Sequence, residues 1–146
     1  MLKMSFLELF IRLIPESFTM LYLINVLSKE KITIRKYLII SAFVSILVYL
    51  VRFLPIYFGI HVIVNIIIYI YVVTVSGIPI VKSIRNTLLA FLILEFCEFI
   101  NMILLLVFNI EIDEYTNIIF KNLLGSPSLI LFIFIIIIIK NTRNKH

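Results

Sequence analysis

Two glutamates, Glu95 and Glu98, stand three residues apart near the middle of the apolar run SIRNTLLAFLILEFCEFINMILLLVFNI, residues 83–110. Carboxylates at that spacing can share a proton, and a nearby cation would hold them ionised. An ionised acid at the depth of such a run costs about 2.5–3.5 kcal/mol on membrane-insertion scales. Both are therefore expected to face the interior of a helix bundle, a watery cavity or a partner. The residues that could answer them are Arg12 and Arg52. Arg12 lies between Glu8 and Glu16 at spacings of four, so the three form one helical stripe of alternating sign that Thr19 continues. Arg52 closes a second stripe, Ser41, Ser45, Tyr49 and Arg52, at the end of its apolar segment, where it could also snorkel toward headgroups. The expectation is that Arg12 or Arg52 pairs with Glu95 or Glu98 across helices. Such a pair could be structural glue, part of a ligand site, or a step in an ion or proton route.

A secondary polar stripe, His61, Asn65 and Tyr69 at spacings of four, is expected on one face of the third apolar segment, and Asn101 is read as continuing the Glu95–Glu98 face. None of these constellations resembles a catalytic one. There is no Gly-x-Ser-x-Gly elbow, no His-Glu-x-x-His and no phosphate-cradling glycine loop. Intramembrane hydrolysis would need two deep aspartates or a Ser–His pair, and the sequence offers neither. The single cysteine, Cys97, excludes an intramolecular disulfide and a cysteine-based zinc site. No metal, no cofactor and no enzyme activity are expected.

The elements that must carry these residues follow from composition. At 63% hydrophobic and 14% charged, with mean hydropathy +1.21, the 146 residues have no polar shell for a soluble domain, where charged residues run near 25%. Long apolar segments, rather than short alternating ones, argue for helices and against an outer-membrane barrel. We expect an all-α integral membrane protein, a single membrane domain over 1–146, with a bundle of five transmembrane helices near 6–27, 37–55, 60–75, 83–108 and 123–139. The count falls to four if residues 3–27 are partly interfacial, because Pro15 should kink the first segment or begin a new one. FLPIYFGI, with Pro55 and Gly59, reads as a tight turn, and SGIPIVKSIR as a Gly-Ile-Pro turn with Lys82 and Arg85. The segment 109–122 reads as an acidic loop, Gly125–Ser128 as the start of the fifth span, and the tail from Lys140 as too short to fold. No signal peptide is apparent, since Glu8, Arg12, Pro15 and Glu16 interrupt the first apolar stretch.

Lysine and arginine give the orientation. The segments after the first and third spans and the tail carry nine of them, against Lys3 and Lys121 on the other side. The positive-inside rule then puts the amino terminus outside and the carboxyl terminus in the cytoplasm. The net charge of +5 sits in these short connections, so nucleic-acid binding is not expected.

The short basic inner connections, RFLPIYFGIH, and the later GIPIVKSIRNTLLAFLILEFCEFIN resemble the amino-terminal membrane sensor region of Agr-type peptide-pheromone receptor histidine kinases of Gram-positive bacteria, over nearly the whole chain. In that family the membrane region senses an extracellular peptide and signals to a cytoplasmic kinase. The phosphoacceptor histidine and nucleotide-binding boxes have no counterpart in these residues, so the resemblance implies a stand-alone sensor module, an accessory protein working through a partner, or a truncated relative. The expected function is a non-enzymatic, sensor-like or accessory subunit of the bacterial inner membrane. It would bind a small hydrophobic or peptide ligand, a membrane-protein partner or further copies of itself, with Arg12, Glu16, Arg52, Glu95 and Glu98 lining the site. The rival expectation is a small transport component, either a substrate-binding membrane subunit or an oligomeric channel. Substrate-dependent flux would separate the two.

Overall fold

A computed structural model describes residues 12–30, 32–54, 58–108 and 118–144. Among them there are five α-helices and no strand: α1 (Ile14–Ser28), α2 (Ile34–Phe53), α3 (Phe58–Val75), α4 (Ile80–Val107) and α5 (Ile118–Asn144). Three stretches, Ile34–Arg52, Ile80–Val107 and Leu124–Thr142, are long and apolar enough to cross a membrane. Gly59–Val75 is equally apolar but shorter. At 1.5 Å per residue α1 covers only about 22 Å, less than a hydrocarbon core of about 30 Å. The first six residues of the expected first span, 6–11, with Glu8 among them, lie outside the described residues.

The chain divides into two compact units, Met1–Phe91 and Leu92–His146. In the first, α1 is the helix most enclosed. Leu13, Ser17, Met20, Leu21, Leu23, Ile24 and Ser28 are buried, and no residue from Glu16 to Ser28 is exposed. Pro15 sits in its first turn, where a missing amide proton breaks no internal bond. Tyr37 joins α2 to it: the ring meets Phe18 edge-on at 5.8 Å, and the phenol donates to the Phe18 carbonyl. The buried stripe of α2 is Ser41, Val44, Ser45, Val48 and Val51. Both serines donate back into their own helix, Ser41 to the Tyr37 carbonyl at 2.8 Å and Ser45 to the Ser41 carbonyl at 2.7 Å. Their hydroxyls are thus satisfied without a neighbour, and they serve as small residues that let helices approach. On α3, Tyr69 reaches Phe91 of α4 edge-on at 5.4 Å.

Gly77, at φ +108°, makes the turn between α3 and α4, and its amide closes on the Thr74 carbonyl at 3.0 Å. Pro79 precedes the first turn of α4, so the helix begins at Ile80 rather than at 83, and Lys82 and Arg85 belong to the helix instead of the turn.

In the second unit, the α4 residues Leu94, Cys97 and Asn101 are buried, as are Ser128, Phe132 and Ile136 of α5. Two sequence expectations are corrected here. Residues 118–122, expected in the acidic loop, are helical, because α5 begins at Ile118; Gly125–Ser128 stands, as expected, at the start of the apolar stretch Leu124–Thr142, with Pro127 inside the helix. The tail is not unfolded either, since α5 continues through Lys140 to Asn144. Pro127 removes one internal hydrogen bond and crowds the carbonyls of the preceding turn. The side-chain amide of Asn101 donates to the Leu124 carbonyl at 3.0 Å, and Ser128 donates to the Gly125 carbonyl at 2.7 Å. Neighbouring side chains thus take up backbone groups around the proline, as an apolar environment demands.

A candidate polar site in the first unit

The start of α1 brings Arg12 and Glu16 within 4.0 Å, one turn apart, with the Glu16 side chain the better buried. The next residue, Ser17, is 2% exposed and shares a hydrogen bond with the phenol of Tyr69, itself 4% exposed. Glu16 and Arg52 both lie within electrostatic reach of that phenol. Three helices therefore deliver one cluster: α1 supplies Glu16 and Ser17, with Arg12 in the turn leading into it, α2 supplies Arg52, and α3 supplies Tyr69. Opposite charges and a hydroxyl pair at one place neutralise much of the cost of removing each from water.

Along α3, the stripe predicted from spacing continues away from Tyr69 to Asn65 and His61. Asn65 Oδ1 and His61 Nδ1 are buried and have no hydrogen-bond partner. Asn65 Oδ1 can accept a hydrogen bond, and His61 Nδ1 can accept or donate one according to its tautomer.

A second polar group was not anticipated. On α4, Asn86 and Thr87, 1% and 0% exposed, leave Nδ2 and Oγ1 without partners, and Asn25 of α1 leaves Oδ1 so. Asn25 also lines a narrow crevice with Leu21, Ile24, Tyr37, Val73 and Ile78, which has room for no more than about one water molecule. The signal was present in the sequence as the polar pair Asn86–Thr87 one turn beyond Ser83, but these residues carry no charge to draw the eye.

The two glutamates of α4 are placed differently from each other. Glu95 is exposed, Glu98 half-buried, and Asn101 buried. Of the three settings expected for the acids, the exposure of Glu95 fits a watery cavity or a partner. The seam of α4 that is buried runs Ser83, Thr87, Ala90, Leu94, Cys97 and Asn101, alternating steps of four and three. At 100° per residue Glu95 stands about 160° around the helix from Cys97. The expected cross-helix pairing of Arg12 or Arg52 with Glu95 or Glu98 would join residues of different units, and it is a feature of neither unit by itself. The pairing that the first unit does contain is Arg12 with Glu16. Among the described residues no three His, Cys, Asp or Glu side chains converge as a metal site would require.

Comparison with protein-family models, with curated proteins and with solved structures returns no match to this chain.

Proposed function

We propose that this chain is a non-enzymatic, multi-pass subunit of a bacterial cell membrane, sensor-like or accessory in role, whose first unit holds a recognition site for a peptide or small hydrophobic ligand or for a partner membrane protein. The observation that carries the reading is the Arg12–Glu16–Ser17–Tyr69–Arg52 cluster, with the unpartnered Asn65 and His61 atoms on the same face of α3. The likeness to Agr-type sensor regions makes a peptide the natural ligand. The ion pair between Glu30 and Lys82 supports the orientation, because it ties together the two connections in which the cations accumulate. A cytoplasmic position for that end leaves the Arg12–Arg52 end facing outward.

The test compares two measurements. Recovery of a defined membrane kinase or transporter subunit with the wild-type protein after cross-linking in native membranes, lost on Arg52→Gln, supports this reading. Substrate-dependent flux through the pure protein in proteoliposomes overturns it in favour of a transport component.

A further inference from the structure

Glu95 is the sixteenth of the 28 residues of α4, so it lies close to the middle of the longest apolar helix. It is exposed, and it makes no hydrogen bond or ion pair among the described residues; the charge within its reach is another acid, Glu98. The outward seam around it runs Leu88, Leu92, Glu95, Phe99, Met102 and Leu106, again in alternating steps of four and three, and its five apolar members are exposed. Large apolar side chains on that face suit acyl chains. A carboxylate in their midst does not, since acids at mid-depth are costly unless paired or facing a polar neighbour. In packed helix pairs, one polar residue in an otherwise apolar seam sets register and partner choice.

A second copy of the chain is the wrong occupant on charge grounds. Arg12 is held by Glu16 and Lys82 by Glu30, and Arg52 also has an interaction of its own. The other cations at described positions, Lys29, Arg35, Lys36, Arg85, Lys121, Lys140 and Arg143, lie toward helix ends and in connections. None is a free cation at mid-helix. We infer that the outward face of α4 centred on Glu95 docks a transmembrane helix of a different protein, one that presents an arginine or lysine at the middle of its span. This deepens the partner reading of the proposed function and rests on it, but it concerns a different face of the molecule.

The test uses synthetic transmembrane peptides of about twenty leucines, one with a central arginine and one without. Resonance energy transfer in phosphatidylcholine vesicles reports their association with full-length protein labelled on its tail. The arginine peptide should associate about tenfold more tightly than the leucine peptide. That preference should vanish in Glu95→Gln and persist in Glu98→Gln and Glu95→Asp. Equal association of the two peptides overturns the inference, and so does a preference that survives Glu95→Gln. Self-association of the protein without peptide, abolished by Glu95→Gln, also overturns it and makes a second copy the occupant. If the peptides are not distinguished while Arg52-dependent recovery of a partner persists, this face is excluded and the first-unit reading stands.

Discussion

The side-chain amide of Asn101 on α4 donates to the Leu124 carbonyl of α5 across 3.0 Å, three residues before Pro127. The bond uses a carbonyl in the turn that the proline ring crowds, so the two helices are fastened where α5 is weakest. Asn101→Leu should lower stability in detergent by about 1 kcal/mol, since polar contacts between membrane helices average about 0.6 and reach about 1.7. In a Pro127→Ala background the same substitution should cost less, because the restored bond from position 127 to the carbonyl of residue 123 stiffens the turn that Asn101 otherwise helps to hold through the adjacent Leu124 carbonyl. Equal losses in both backgrounds, measured by chemical unfolding, would separate Asn101 from the proline.

Tyr69 makes two contacts of different kind, the hydrogen bond with Ser17 and the edge-on packing on Phe91 at 5.4 Å. Tyr69→Phe removes the first and keeps the second. It should cost about 1 kcal/mol, the usual net value of one hydrogen bond, with the Ser17 hydroxyl left buried. Tyr69→Ala removes both and should cost about 3–5 kcal/mol, as large aromatic truncations do. A double-mutant cycle of Ser17→Ala with Tyr69→Phe should return a coupling of about 0.5–1.5 kcal/mol; a coupling near zero would dissolve the pair.

The limits of sequence reading are visible at particular residues. Helix content and the three long apolar spans were legible because periodicity and apolar length act locally. The inward stripe of Ser41 and Ser45 was legible too, and spacings of four put Arg12 with Glu16 on one face. Glu95, Glu98 and Asn101 were read as one face because they stand three apart. Each step of three falls about 60° short of a full turn, so the outer two are about 120° apart, and packing took only Asn101 inside. The first turn of α5 was missed for another reason: residues 118–122 follow acidic and polar residues that read as a connection, whereas the helix runs back beyond its apolar stretch to Ile118. Beside Pro127, Asn101 and Ser128 take up backbone carbonyls. The hydrogen bond of Asn101 comes from a residue 23 positions away, and no local pattern reports it.

Gly77 and Gly59 should respond to alanine with opposite signs. Gly77 has φ +108° in the α3–α4 turn, and a Cβ there would meet nothing within 4 Å. The cost of Gly77→Ala is therefore conformational alone and should be about 1 kcal/mol. Gly59 lies within the first turn of α3, with equally open space around it. Gly59→Ala should stabilise, by up to about 1 kcal/mol, because alanine loses less backbone freedom in a helix. Thermal unfolding in detergent of the two single variants gives both signs, and a loss at position 59 would contradict the helical assignment there.

Lys82 Nζ lies 2.8 Å from Glu30 Oε1, which joins the connection after α1 to the first turn of α4. The side chains are 45% and 41% exposed, so solvent screens the pair and its energetic worth is small, about 0–1 kcal/mol. Its consequence is topological: with α2 and α3 between them, both ends must lie on one side of the membrane. In a Cys97→Ser background, Thr33→Cys and Pro79→Cys, both at exposed positions, should react with an impermeant maleimide from the same side. Ile60→Cys, exposed near the opposite end of α3, should react from the other. On the proposed orientation the first side is the cytoplasmic one. Labelling of positions 33 and 79 from opposite sides would break the antiparallel α2–α3 pair, and with it the arrangement that brings Arg52 toward Tyr69.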